Sequence, residues 1–143
     1  MCLWVVFPYW IHAFIDPFLG RFHSRLLLWL GGLISTLGYI LAVWCVMLFI
    51  TEGRGTPLPF AHPKRLVKIG PYRFVRNPMV LGTVLVLLGS AALLGSYGLL
   101  FYTFSIFLIM HFFILVEERS LVKRFGHDYA VYKQKTPRWW PRF

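Results

Sequence analysis

The sequence predicts an all-α integral membrane protein with three to four transmembrane helices, a cytoplasmic loop and a C-terminal amphipathic helix. Hydrophobic residues make up 58% of the 143-residue chain and charged residues only 14%, whereas soluble domains usually carry about 25% charged residues. The apolar residues form long runs, and most basic residues lie between or after these runs. Such a chain buries its apolar surface in lipid, and we expect a single membrane domain over residues 1–143.

The clearest predicted span covers residues 26–50, which contain no charged side chain. A helix of this length extends about 37 Å, enough to cross a hydrocarbon core of about 30 Å with some tilt. Gly31, Ser35 and Gly38 recur on one helical stripe, and small residues at that spacing let a second helix approach closely.

A second apolar stretch covers residues 79–116 and is too long for one span. Gly95-Ser96-Tyr97-Gly98 interrupts it, so we predict two spans at about 79–95 and 97–116 that form a hairpin. Small residues in this stretch indicate either tight helix packing or a groove for an acyl or prenyl tail. They are Gly82, Gly89, Ser90 and Gly95.

The first 20 residues are apolar and aromatic but contain Pro8 and Pro17. We predict a kinked span at about residues 1–20, or a helix that is only partly inserted. His12 and Asp16 are four residues apart and share a helical face. This spacing suggests a polar contact between helices or, alternatively, a functional pair.

The loop at residues 51–78 and the tail at residues 117–143 hold 13 of the 15 Lys and Arg residues. By the positive-inside rule both segments are cytoplasmic. An even number of spans must then separate them, and the predicted hairpin supplies two.

The net charge of +10 would indicate nucleic acid in a soluble protein. Beside apolar spans, it is better explained by loops held against an anionic membrane surface. We therefore expect a membrane and an amphiphilic small molecule or lipid as partners, and no nucleic acid; the oligomeric state stays open. The two cysteines and five histidines show neither a disulfide framework nor metal-ligand spacing, so we expect no metal.

Two polar clusters stand beside the ends of the predicted hairpin. In the first, Asn77-Pro78 is typical of a helix start, so this cluster is either a simple helix cap or part of a site. In the second, Glu117-Glu118 follow the fourth span directly. Adjacent carboxylates at a membrane boundary repel each other, and a nearby cation would relieve that repulsion. The alternative is an exposed helix end, which is unfavourable for acids unless the helix continues.

The tail after these acids predicts an amphipathic helix at the membrane interface. Its apolar residues recur at helical spacing, and Trp139-Trp140 would anchor its end at headgroup level. This helix serves either as a membrane anchor or as a lid over a cofactor. Its apolar positions are 121, 122, 125, 129 and 132.

Both clusters resemble motifs of the isoprenylcysteine carboxyl methyltransferase and phospholipid methyltransferase superfamily. Residues 70–82, Gly-Pro-Tyr-Arg-Phe-Val-Arg-Asn-Pro-Met-Val-Leu-Gly, resemble its signature, roughly G-x-Y-x-x-x-R-H-P-x-Y-x-G. The tail from Glu117 to Arg138 resembles its ending, E-E-x-x-L-x-x-x-F-G-x-x-Y-x-x-Y. The resemblance covers residues 54–141, with two motifs in the right order around a two-span hairpin.

This resemblance implies an S-adenosyl-L-methionine-dependent methyltransferase that acts on a membrane-embedded amphiphile, either lipid-like or prenylated. It implies a cofactor held between loop and tail. The residues expected to be catalytic are Arg76, Glu117 and Glu118. The cofactor contacts that it implies are Leu66, Val67, Tyr72, Asn77, Pro78, Met79, Val80 and Glu117.

Three positions depart from the superfamily pattern. Asn77 stands where the signature has His and does not titrate near neutrality, and Val80 stands where it has Tyr. Phe113 stands where the isoprenylcysteine enzymes have a substrate-binding Arg, which favours a neutral or amine headgroup over a prenylcysteine carboxylate. The alternatives are a catalytically inactive member of the superfamily and a membrane reductase-like protein, although the sterol reductases with a similar C-terminal half have many more spans.

Overall fold

The computed structural model describes residues 7–20, 22, 24–52 and 66–140. Within these residues the secondary structure is helical, which confirms the predicted all-α class. The helices are α1 (Phe7–Phe14), α2 (Asp16–Leu19), α3 (Arg25–Thr51), α4 (Pro78–Leu94) and α5 (Tyr97–Lys135), with a 3₁₀ turn at Gly70–Arg73.

Two of these helices, α3 and α5, are long and apolar enough to cross a membrane. They contain the spans predicted at 26–50 and 97–116. The span predicted at 79–95 corresponds to α4, an apolar helix of 17 residues. Between residues 7 and 20 the chain forms the two short helices α1 and α2. Three to four transmembrane helices therefore remains a prediction.

The tail helix is the distal part of α5 rather than a separate element. Because α5 runs on past Glu117-Glu118, these acids lie inside a helix and not at its unfavourable C-terminal end. The helix bends at Gly126, whose backbone angles are φ 53° and ψ −123°. A side chain is strongly disfavoured in this conformation, so glycine permits the bend.

The described residues fall into two compact units, the first formed by residues up to Ile40 together with Gly82–Met110. Here α3 and α4 meet through their backbones. A β-carbon on Gly31 would lie 2.6 Å from the Leu93 amide nitrogen, and one on Gly38 would lie 2.9 Å from the Gly82 carbonyl oxygen. The small-residue stripe predicted on α3 therefore serves close helix packing, and Gly82 lies in that contact.

The turn between α4 and α5 also belongs to the first unit. Gly95 has φ 62°, and the Ser96 amide donates to the Ala91 carbonyl oxygen at 3.0 Å, which is the Schellman pattern of a helix end. The Ser96 hydroxyl then accepts the Leu99 amide at 3.0 Å and so caps α5. The Ser96 hydroxyl donates a hydrogen bond to Asp16 Oδ1 at 2.6 Å, so Asp16 makes an interior polar contact. The side chain of His12 lies outside the described residues.

The second unit is formed by Leu41–Leu81 and His111–Phe143. Its apolar centre consists of the buried residues Cys45, Val67 and Tyr72. The 3₁₀ turn lies directly on α3, because a β-carbon on Gly70 would lie 2.7 Å from Leu48 and 3.6 Å from the Trp44 ring. This contact places the loop motif against the last turns of an apolar helix.

Candidate active site

The loop motif and the tail motif are joined by hydrogen bonds within the second unit. The hydroxyl of the buried Tyr132 donates to the Tyr72 carbonyl oxygen at 2.6 Å. The Arg76 amide donates to the Pro137 carbonyl oxygen at 2.9 Å. The 3₁₀ turn and the end of α5 are therefore fixed against each other, as a site shared by both motifs requires.

The strongest link is an ion cluster around Glu118, whose side chain is only 6% exposed. Arg76 Nη1 lies 2.7 Å from its Oε1, and its own side chain is 9% exposed. Arg138 donates to both carboxylate oxygens, from Nε to Oε1 at 3.0 Å and from Nη2 to Oε2 at 2.8 Å. This is the bidentate geometry that gives strong pairing. Lys133 Nζ lies 3.4 Å from Oε2. The sequence predicts a cation beside the paired acids, and the structure places three beside Glu118.

This cluster keeps Glu118 ionised. Burial by itself raises the pKa of the carboxyl, but the Arg138 hydrogen bond and the charges of Arg76, Arg138 and Lys133 outweigh it, and the pKa is lowered. The pKa of Arg138 is raised, chiefly by its hydrogen bond to Glu118. A carboxylate with a lowered pKa and three cationic partners is a poor proton acceptor. Glu118 therefore fits a structural role at the site better than that of a base.

Three tyrosines lie beside the cluster, and burial raises the pKa of each. This holds for Tyr72, with a further contribution from the nearby charge of Glu117, for Tyr129 and for Tyr132. All three phenols therefore stay protonated at neutral pH. They can donate hydrogen bonds but not accept protons from a substrate.

Two buried donors at the site have no hydrogen-bond partner in the described part of the chain. They are Nε of Arg76 and Nδ2 of Asn77. A buried donor without a partner costs about 1–3 kcal/mol, and two in consecutive residues is unusual. An acceptor group on a bound ligand would satisfy both.

The other predicted site residues lie around this centre. Val67 and Tyr72 are part of the apolar centre, and Met79 packs against it. Pro78 is fully buried at the start of α4, and the Asn77 carbonyl accepts the Leu81 amide at 3.2 Å, which confirms the predicted helix start. The half-buried residues are Leu66, Val80 and Glu117.

Sequence reasoning missed the partners that the tail supplies. The pairing of Lys133 and Arg138 with Glu118 spans 15 and 20 residues, which no local pattern reveals. Trp139 also meets a partner that the sequence did not reveal, because its Nε1 donates to His111 Nδ1 at 3.2 Å and the two rings stack. The anchoring of Trp139-Trp140 at headgroup level stays a prediction. The one available signal was the resemblance itself, since its tail motif reaches Arg138.

Comparison with known proteins identifies the class. The family model of phospholipid methyltransferases matches residues 26–128. The match includes nearly all of α3, all of α4 and α5 as far as Asp128. The chain belongs to the phospholipid methyltransferase family, a family of membrane methyltransferases.

A curated relative is the cobalt-zinc-cadmium resistance protein CzcN of Cupriavidus metallidurans, which is 29% identical over 124 residues. The alignment covers 86% of this chain and 53% of CzcN, so the chain spans about half the length of that relative. Among residues 7–20, 22, 24–52 and 66–140, no three His, Cys, Asp or Glu side chains come together as metal ligands would.

Proposed function

We propose that this chain is an S-adenosyl-L-methionine-dependent methyltransferase whose acceptor is a membrane-embedded amphiphile, lipid-like or prenylated. One observation carries the proposal: the two family motifs meet at the Glu118 ion cluster, and two unpaired buried donors, Arg76 Nε and Asn77 Nδ2, lie beside it. Family membership supplies the reaction type, and this local arrangement supplies a site that fits it.

The residues present fit the proposed cofactor. Its carboxylate and hydroxyl oxygens are acceptors, which is what the unpaired donors of Arg76 and Asn77 require. Glu117, half-buried one residue before the ion cluster, would accept from its ammonium or hydroxyl groups. The apolar contacts that we assign are Leu66, Val67, Tyr72, Pro78, Met79 and Val80.

When bound, this cofactor would supply an electrophilic methyl group for in-line displacement. The chain's own task is then to align the acceptor and keep water out. Arg76 and Glu117 are the residues that we assign to direct contact. Glu118 we assign as a positioning residue, because its carboxylate is occupied by Arg76, Arg138 and Lys133.

The acceptor has to be nucleophilic without help from a strong base. Glu118 has a lowered pKa, and the tyrosines stay protonated. An acceptor that is already anionic, or an amine that loses its proton on desolvation, meets this condition. We propose that it enters from the bilayer. Since Phe113 favours a neutral or amine headgroup over a carboxylate, an amine is the acceptor that meets both conditions.

The decisive test of the cofactor is a titration of the purified full chain with S-adenosyl-L-methionine. We expect binding, and we expect Asn77→Ala and Glu117→Gln each to raise Kd at least ten-fold. Asp128→Asn is the matched control, since it removes an exposed acid from the same helix, and it should change Kd less than two-fold. Absence of binding by the unaltered chain contradicts the proposal.

A test of the acceptor uses labelled cofactor with a panel of membrane lipids and their water-soluble headgroups. Lipid acceptors should be methylated much faster than free headgroups. Equal rates on the two would exclude entry from the bilayer. Rapid turnover of a prenylcysteine would contradict the inference from Phe113.

The second candidate is an inactive member of the family that still binds the cofactor. It is favoured by Asn77 and Val80, which stand where the superfamily signature has His and Tyr. Binding without turnover would support it. In that case Asn77→His with Val80→Tyr, which restores the signature, should produce measurable methyl transfer.

We also propose that the loop and the tail face the cytoplasm. In a variant without native cysteines, single cysteines at the exposed positions Lys68 and Lys123 should react with an impermeant reagent only after the membrane is opened. Labelling of one position from each side would refute a shared cytoplasmic face.

A further inference from the structure

A basic groove lies in the second unit, between the 3₁₀ turn and the end of α5. Its volume is about 360 Å³. None of the residues of the Glu118 ion cluster lines this groove. Tyr132, which donates to the Tyr72 carbonyl oxygen, forms part of its wall. The lining residues are Lys68, Arg73, Val131, Tyr132, Lys135 and Thr136.

The groove concentrates positive charge. Lys68, Arg73 and Lys135 are all exposed, and none of the six lining residues is acidic. Lys68 Nζ is held by the Asp128 carbonyl oxygen at 3.3 Å, which orients its ammonium without neutralising it. Three cations around one concavity repel each other, and an anion bound between them would remove that cost.

The groove lies close to the end of a helix that is able to cross a membrane. Gly70, in the same 3₁₀ turn as Arg73, lies against Trp44 and Leu48 in the last turns of α3, a helix able to cross a membrane. The two loop cations that line the groove, Lys68 and Arg73, are each followed by an exposed apolar residue, Ile69 at 48% and Phe74 at 57% exposure. Cations beside exposed apolar side chains are typical of a surface that meets the boundary between headgroups and acyl chains.

We propose that this groove binds the phosphate of an anionic phospholipid, at a site distinct from the cofactor and the acceptor. Arg73 provides a planar fork for phosphate oxygens and the two lysines provide point charges. A soluble phosphate would use the cations but not Ile69 and Phe74, so the apolar rim favours a lipid. The inference goes beyond the proposed function and requires no methyl transfer.

A bound lipid would connect the loop to the tail. Lys68 and Arg73 belong to the loop and Lys135 to α5, one turn after the Tyr132 hydroxyl that donates to Tyr72. A phosphate between them would reinforce the contact that aligns the two family motifs. The anionic lipid content of the bilayer would therefore regulate how firmly the site is held.

The test measures binding of fluorescent phosphatidylglycerol to the full chain in neutral micelles. The groove variant is Arg73→Gln with Lys135→Gln, and the control is Arg119→Gln with Lys123→Gln, which removes two exposed cations of α5 outside the groove. We expect Kd to rise at least ten-fold for the groove variant and less than two-fold for the control. Equal losses would show diffuse attraction and overturn the proposal.

Two further measurements sharpen the result. Inorganic phosphate should compete only at far higher concentration than the lipid; competition at equal concentration would show that the ligand is a soluble anion and overturn the lipid assignment. Both variants should keep the Tm of the unaltered chain in neutral micelles, since all four side chains are exposed. Cofactor binding, titrated in the same samples, separates a failure of this site from a failure of the proposed function.

Discussion

Each of the two units is stabilised internally by a different kind of contact. In the first, the α3 and α4 backbones touch at Gly31, Gly38 and Gly89, and dispersion between closely packed apolar atoms does the stabilising. In the second, the loop and α5 are joined by ion pairs around Glu118 and by the bond between Tyr132 and Tyr72. We therefore expect added side-chain volume between α3 and α4 to destabilise the first unit, and loss of a charge from the Glu118 cluster to destabilise the second.

The largest expected effect is on the second unit. Glu118→Gln leaves Arg76 buried without its counter-charge, and breaking a buried pair in this way costs about 3–5 kcal/mol. We expect a marked fall in Tm and weaker cofactor binding, both measured on the purified chain. Glu117→Gln is the matched control, because Glu117 lies outside the ion cluster; it should reduce cofactor binding and lower Tm less than Glu118→Gln does. Equal Tm values for both variants would show that the ion cluster does not hold this unit together.

Adding volume to the first unit should have the next largest effect. In Gly89→Ala the new β-carbon would lie 2.6 Å from the Gly31 carbonyl oxygen, and overpacking of this kind costs about 1–3 kcal/mol. Gly32→Ala is the control, because its β-carbon meets only a Leu93 methyl group at 3.8 Å. We expect a lower Tm for the first variant and an unchanged or slightly higher Tm for the second. A tolerated Gly89→Ala would argue against backbone contact between the helices.

The bend in α5 provides a third test. Gly126 has φ 53°, and an alanine there is strained even though its β-carbon would meet no atom within 4 Å. We expect Gly126→Ala to lower the free energy of unfolding by about 1–2 kcal/mol and to weaken cofactor binding, because the residues after the bend carry the contacts to the loop. Unchanged Tm and binding would show that the bend does not position the tail.

The comparison also predicts a difference in acid sensitivity. The folded-state pKa of Glu118 is lowered from its ordinary value of 4.5. Its contribution to stability is therefore complete above pH 4.5 and is lost as the pH falls through the folded-state pKa. The difference in Tm between the unaltered chain and Glu118→Gln should shrink below pH 4.5, whereas the effect of Gly89→Ala should not change with pH. A constant difference for Glu118→Gln would contradict the lowered pKa.

The smallest expected effect concerns a single hydrogen bond. Tyr132→Phe leaves the Tyr72 carbonyl oxygen without its buried donor, which costs about 1–2 kcal/mol. Tyr97→Phe is the control in the first unit, since Tyr97 is exposed and keeps its ring contact with Phe22. Thermal unfolding of both variants measures the difference. Equal Tm values would show that this bond adds little to the joining of loop and tail.

Much of the architecture follows from the sequence. The charge-free run at residues 26–50 predicts α3, and the Gly95-Ser96 break predicts the start of α5 at Tyr97, because apolar length and turn chemistry are local properties. The Gly31, Ser35 and Gly38 stripe predicts close helix packing for the same reason. The sequence also places Asn77-Pro78 at a helix start and names the acids that need a cation.

What the tertiary structure decided is which partners those residues meet. Two features of the folded chain decide that Glu118 pairs with Arg138, that Tyr132 donates to Tyr72 and that Lys68 and Lys135 share a groove. They are the bend at Gly126 and the packing of the 3₁₀ turn at Gly70–Arg73 against α3. These contacts join residues 20 to 67 positions apart. Charge and hydrophobic periodicity specify that a residue needs a partner or a face, but only the folded chain selects one among several equivalent arginines and lysines.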